Sequence, residues 1–244
     1  MKKKLTKGIT VENLSFGYDE GKTVLHDVSL SFEAGKSYAI VGNSGSGKST
    51  LLNLLMGSSN SYQGKILFDD HELKDIDSDS LYDLLTLVQQ NVFVFNDTIK
   101  NNVTMFREFD NEKVAAALQK AHLTELIAAK GEDYVCGENG NLLSGGEKQR
   151  LSIARALLQE APVLLVDEAT AALDANTAYE VSSAILSLDG VTRIVVTHRM
   201  EEGLLRQYDK IYVLRSGRLA EAGTFEGLMA QKGLFYSLYT VSQG

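Results

Sequence analysis

The chain has 244 residues, 44% hydrophobic and 23% charged, with a formal net charge of −8, enough for one large domain or for a core carrying an inserted lobe. The negative balance argues against a nucleic-acid partner, which requires a basic stripe, and the single cysteine, Cys136, excludes an intrachain disulfide and suits a reducing compartment. No apolar run approaches the ~18 residues of a membrane span.

Lys2, Lys3 and Lys4 lead into polar residues rather than the apolar core of a secretory signal. With Lys7 they read as a solvated terminus, contact with acidic lipid headgroups being the alternative. Residues 8–41 alternate apolar and polar positions (Ile9, Val11, Leu14, Phe16, then Val28, Leu30, Phe32), which predicts antiparallel strands with turns at Gly21 and at Ala34-Gly35. Ser37-Tyr38-Ala39-Ile40-Val41 reads as a short buried strand. It runs into Gly42-Asn43-Ser44-Gly45-Ser46-Gly47-Lys48-Ser49-Thr50, which fits the phosphate-loop pattern G-x-x-x-x-G-K-[ST]. Leu51 to Met56 then reads as a helix stopped at Gly57. Strand, glycine-rich turn and helix start aim backbone N–H groups and the positive end of a helix at one spot, a geometry that holds phosphates. In that setting Lys48 reaches the β- and γ-phosphates and the Ser49 hydroxyl ligates magnesium.

Gly64 to Phe68 predicts another strand. From about 78 to 160 the pattern turns helical, most clearly from Glu112 to Ala129, where Val114, Leu118, Ala121 and Leu126 make one face and Gly131 closes the helix. A helix over 146–159 is stopped by Pro162, the only proline, which biases Ala161 toward extended backbone. The strand Val163-Leu164-Leu165-Val166 ends in Asp167 and Glu168. At a strand end the chain already turns, so the two acids can do different work: Asp167 near the magnesium, Glu168 polarising the water that attacks the γ-phosphate. A helix over 175–188, a strand from Arg193 to Thr197 and a hairpin about Ser216-Gly217 complete the series. Strands alternating with helices at both ends predict a mostly parallel sheet, with a helix-rich lobe inserted between.

Leu143-Ser144-Gly145-Gly146-Glu147-Lys148-Gln149-Arg150 closely resembles the signature sequence of ATP-binding cassette (ABC) ATPases, and with the phosphate loop and the acidic pair the resemblance covers nearly the whole chain. It implies an α/β fold: a P-loop NTPase (RecA-like) core with an antiparallel β subdomain and an inserted α-helical subdomain. Residues 1–244 are then a single ATPase domain, with 8–90 and 161–244 as β and core parts and 91–160 as the insertion. The resemblance also implies ATP and Mg2+ as ligands, held by residues 42–50. In the family the signature of one copy, here Ser144, Gly145, Gly146 and Glu147, closes head to tail over ATP on another copy's phosphate loop. By the same match Tyr18 stacks on adenine, Gln90 reaches magnesium and the attacking water, and His198 contacts the γ-phosphate. Gln89 leaves the register of Gln90 open by one residue, with Phe93 and Phe95 favouring Gln90. Lys48, Glu168, His198 and Gln90 are the expected catalytic set, and Ser49, Gln90 and Asp167 the expected metal set.

Two segments resemble the exporter branch, Phe93 to Val103 and Gly137-Glu138-Asn139-Gly140, which in exporters lie against the coupling helices of a transmembrane domain. The implied function is an ATPase domain that powers an exporter from the cytoplasmic face of the membrane, with a second nucleotide-binding domain and a transmembrane domain as partners. Homodimer and heterodimer are both open, as are a separate subunit and a part of a longer polypeptide. The alternatives are an importer subunit and a soluble ABC ATPase acting on DNA or ribosomes. The latter resemblance calls for a second cassette, a coiled coil or a basic linker, none of which is in the sequence. A guanine-specific switch lacks its Asn-Lys-x-Asp element, and dehydrogenase and Gly-x-Ser-x-Gly hydrolase patterns fail on glycine spacing. Two positions depart from the family: Glu147 stands where glutamine is commonest and Ala171 where serine is usual. Both changes are expected to weaken dimer closure.

Overall fold

The computed structural model describes residues 4–19 and 21–243, so Lys2 and Lys3 lie outside the described residues. The described elements begin with β1 (Gly8–Asp19), β2 (Lys22–Glu33), β3 (Ser37–Val41), α1 (Lys48–Leu55), β4 (Gln63–Phe68), β5 (His71–Glu72), α2 (Ser78–Leu84) and β6 (Leu85–Val88). Next come α3 (Ile99–Thr104), α4 (Asn111–Lys120), α5 (Thr124–Lys130), α6 (Gly145–Gln159), β7 (Val163–Asp167) and α7 (Ala175–Leu186). The chain ends with β8 (Thr192–Val196), α8 (Glu202–Leu205), β9 (Lys210–Arg215), β10 (Arg218–Gly223), α9 (Phe225–Gln231) and α10 (Leu234–Ser242). They divide into two units. One holds the described residues up to Thr86, Pro162–Asp167 and those from Asp189 on; the other holds Leu87–Ala161 and Glu168–Leu188.

In the first unit, β2-β1-β4-β5 form an antiparallel sheet. Its register pairs Ile9 with Phe32, Val11 with Leu30, Leu14 with Val28 and Phe16 with Leu25, and all eight side chains are buried. The pairing slips between these positions; there Asn13 and Asp27 adopt positive φ and Asn13 Nδ2 donates to Asp27 Oδ1 at 2.8 Å. Such bulges keep an apolar face inward along a long, twisted ribbon. The second sheet runs β10-β9-β3-β8-β7-β6. Its central pairs are parallel, and β10 is an antiparallel edge strand on β9 joined through Ser216 and Gly217, both at positive φ as a type I′ hairpin requires. Every residue of β3 and β8 is buried, the mark of a sheet covered on both faces. Tyr38 stacks on Tyr212 with centroids 5.9 Å apart, and Phe32 meets both rings edge-on, each such pair contributing ~0.5–1.5 kcal/mol beyond area burial. The predicted α/β class and mostly parallel sheet are thus observed.

The stretch 78–160 is less helical than its pattern predicts. Leu85–Val88 is a strand, and 89–98 and 131–144 contain almost no regular helix. The helix expected from Glu112 to Ala129 is two helices. His122 takes φ +56, and Leu123 N–H donates to Leu118 O at 2.9 Å while His122 N–H donates to Gln119 O at 3.0 Å. That is a Schellman stop without glycine. It is stabilised because Leu123, just past the turn, is fully buried. Gly131 does cap α5, its N–H bonded to Ile127 O at 2.8 Å. Among the described residues no helix is long and apolar enough to cross a membrane.

Candidate active site

Parallel register brings the first half of the site together. Ile40 on β3 and Asp167 on β7 both pair with Val196 on the strand between them. Gly42, Asp167 and His198 therefore lie at the carboxyl ends of three neighbouring strands, where open α/β sheets bind their ligands. Two glycines make the loop possible. Gly42 has φ +150, and a Cβ there would lie 2.2 Å from Leu214 O; Gly47 has φ +97, and a Cβ there would meet Leu25 Cδ2 at 2.6 Å. Gly47 is also the N-cap of α1, and no side chain caps this helix, so its N-terminus is shaped for an anion. Lys48 is 4% exposed, and its Nζ donates to Gly42 O at 2.9 Å and Asn43 O at 3.1 Å. The Ser46 hydroxyl is buried with no hydrogen-bond partner among the described residues, a polar atom that a phosphate oxygen would satisfy. Ser49 Oγ donates to Asp167 Oδ1 at 3.0 Å. Beside the loop, Tyr18 is 64% exposed, braced edge-on by Phe16 at 5.1 Å, with its hydroxyl 3.3 Å from Thr50 Oγ1. His198 is exposed just past β8, and Thr197 N–H ties that turn to Ile40 O.

Glu168 has φ +49, a conformation that costs a side-chain-bearing residue about 1–3 kcal/mol and concentrates at functional sites. It turns the backbone directly after Asp167, the last residue of β7. Its carbonyl accepts from Ala171 N–H at 3.1 Å, closing the turn that leads to Asp174. Asp174 N-caps α7 by accepting from Thr177 N–H at 3.0 Å, and that bond holds its carboxyl below the usual range. In the same unit Ser144 N-caps α6. Glu147 N–H donates to Ser144 Oγ at 3.2 Å, and Ser144 N–H donates to Glu147 Oε2 at 2.6 Å, a capping box. The backbone at Gly146 passes so close to the turn that a Cβ there would lie 3.3 Å from Leu173 Cδ2. Buried Gln149 accepts Ala172 N–H on its Oε1 at 3.0 Å, so signature and turn form one packed piece. Gln90 lies exposed two residues past β6, also in this second unit.

A family model described as ABC transporter matches residues 25–171. The chain belongs to the ABC transporter family. It is 38% identical over 247 residues to the ATP-dependent lipid A-core flippase of Legionella pneumophila, a match covering 100% of the chain and 42% of that protein. The flippase of the same name from Syntrophus aciditrophicus is 40% identical over 240 residues, covering 97% of the chain and 39% of that protein. A solved bacterial Atm1-family ABC exporter with ATP bound superposes with a TM-score of 0.92 at 37% identity, over 98% of the chain and 42% of that structure. The chain therefore spans about two fifths of the length of these relatives.

ABC ATPase domains take ATP with Mg2+, and the residues present fit both. The buried Ser46 hydroxyl and the glycine cradle suit a polyphosphate. Mg2+ keeps several waters and binds through one or two protein oxygens plus substrate phosphates. The adjoining Ser49 hydroxyl and Asp167 carboxylate form such a set, and no cluster of three acidic, His or Cys ligands is found among the described residues. Buried Cys136 has its thiol pushed up by burial, as suits a packing residue rather than a nucleophile. The sequence places Glu147 in the signature, but its capping role, and any role for Gln149 and Arg155, emerge in the structure. The capping role of Glu147 was available from the Ser-x-x-Glu spacing. Gln149 and Arg155 carried no local signal, because their partners at 172 and at 93–102 are distant in the chain.

Proposed function

We propose that this chain is the ATP-hydrolysing domain of an ABC exporter, a single unit of function with 8–90 and 161–244 as its β and RecA-like parts and 91–160 as an inserted helical subdomain. ATP closes two copies, or this chain and a related one, head to tail, so that Ser144, Gly145 and Gly146 of each cover the nucleotide on the other's phosphate loop. Tyr18 stacks on adenine. Residues 42–50 wrap the phosphates, with Lys48 on the β and γ groups. Ser49, Asp167 and Gln90 would hold Mg2+, which when bound neutralises phosphate charge. Glu168 orients and polarises the attacking water, and His198 and Lys48 stabilise charge on the transferred phosphoryl, giving ADP and phosphate. Such catalysis is mainly positioning and electrostatics.

One observation carries this reading: the shared register at Val196 that brings the phosphate loop, Asp167 and His198 to the carboxyl ends of adjacent strands. The names of the relatives support the exporter branch, as does the exposed aromatic segment following β6. The partner is then a transmembrane domain, the location the cytoplasmic face of a membrane, and the charge of −8 opposes nucleic acid. Replacing the base tests it. Glu168→Gln should lower the hydrolysis rate by about 10²–10⁴-fold while ATP and Mg2+ shift the protein to twice its mass on size-exclusion chromatography. Turnover at the native rate in that variant overturns the role of Glu168, and an unchanged elution volume overturns the sandwich.

A further inference from the structure

Arg155 lies on α6, the helix that opens at the Ser144 cap. Its Nε donates to Asn102 O at 2.6 Å, its Nη1 to Phe93 O at 2.6 Å and its Nη2 to Asn102 Oδ1 at 2.7 Å. Asn102 is fully buried. Its Oδ1 also accepts Phe95 N–H at 2.8 Å, and its Nδ2 is shared among Phe95 O, Asp97 O and Thr98 O. One amide thus closes the turn 95–102 on itself, and one guanidinium fastens both ends of it to α6. Only a planar fork meets three oxygens in this way; an ammonium cannot. The partners are carbonyl oxygens rather than carboxylates, and burial pushes the Arg155 pKa down to about 10. A cation held there at such cost has geometry to fix.

The fastened segment carries exposed aromatic surface. Phe93 is 61% and Phe106 56% exposed, and both meet the Phe95 ring edge-on, at 5.0 and 5.3 Å. Backbone bonds also join the segment to the stretch running into the signature: Ile99 N–H to Tyr134 O, Lys100 N–H to Glu132 O and Cys136 N–H to Asp97 O. Those bonds attach it to the lead-in; the guanidinium attaches it to the body of the helix.

We propose that Arg155 is a positioning residue that locks segment 93–106 to the signature helix, so that closure over ATP at Ser144 is passed to the aromatic surface as one rigid displacement. The proposal rests on the nucleotide sandwich above. The test is amide hydrogen exchange of the full chain in a Glu168→Gln background, with and without ATP and Mg2+, with Arg155 intact, as Arg155→Lys and as Arg155→Gln. With Arg155 intact, ATP should slow exchange at both 144–150 and 95–103. In either substituted form 95–103 should exchange about 10-fold faster or more, as loss of charge-assisted hydrogen bonds implies, and should stop responding to ATP, while 144–150 still responds. Retention of the 95–103 response in a folded variant overturns the proposal. So does an intact chain in which ATP protects 144–150 but not 95–103, a result that needs no variant. An intact chain with no ATP response at 144–150 instead overturns the sandwich, and the relay with it.

Discussion

Ser49 donates its hydroxyl proton to Asp167 Oδ1 across 3.0 Å, joining the first turn of α1 to the last residue of β7, 118 positions along the chain. The bond puts a neutral oxygen ligand and an anionic one side by side at the mouth of the phosphate loop. It also makes the proposed metal site a property of the sheet, since β7 and β3 are held apart by only β8.

Asp167→Asn keeps the hydrogen bond to Ser49 and removes the charge. Apparent Mg2+ affinity should fall by about 10–100-fold, the usual effect of losing a carboxylate that holds a metal through water, while ATP binding in chelator changes little. Titrating Mg2+ at fixed ATP against hydrolysis rate, with a fluorescent nucleotide for binding, separates the two. An unchanged Mg2+ midpoint removes Asp167 from the metal site.

The capping box gives Glu147 a role in the stability of α6, separate from the expected effect on dimer closure. Its carboxylate is engaged by Ser144 N–H at a helix N-terminus, where negative charge is favoured by ~0.3–1 kcal/mol. Glu147→Gln retains a carbonyl acceptor and should cost little stability. Glu147→Ala and Ser144→Ala should each cost about 0.5–2 kcal/mol, the usual value of a lost N-cap. Melting curves of the three variants check the order. Equal melting temperatures for Glu147→Ala and the unsubstituted protein would show that the box contributes nothing.

Asp69 anchors the start of β1. Burial opposes its charge, but N–H donors from Gly8, Lys7 and Thr6 outweigh that and hold its carboxyl below the usual value of 3.8. A depressed carboxyl contributes stability that is fully present above its unfolded value and is lost as pH falls through its folded value. Asp69→Asn should therefore melt below the unsubstituted protein at pH 7, and the gap should shrink progressively once pH drops below 3.8. A gap independent of pH from neutrality to pH 2 would assign the loss to packing rather than to charge.

Local pattern served well wherever the physics is local. The phosphate loop, the stop after α1, the break at Pro162 and the Ser216-Gly217 hairpin depend on backbone preferences within a few residues, and the structure places each as expected. It did poorly between 85 and 144. The apolar run Leu85–Val88 reads equally as helix or strand, and its place in the sheet is decided by other strands. At Ala121-His122-Leu123 the helical period continues through a break that exists because Leu123 is buried.

By itself the sequence determined the chemistry on offer: a polyphosphate cradle, an acidic pair after a buried strand and a second Ser-Gly-Gly helix start. Each is written in neighbouring residues whose backbone amides and side chains act together over a few ångströms. Only the tertiary structure decided that Ser49 meets Asp167, that Gln149 clamps the turn at Ala172 and that Arg155 grips Phe93 and Asn102. Those contacts join residues 23 to 118 positions apart, and at such separations strand order and helix packing, which no local pattern encodes, determine which groups share a site.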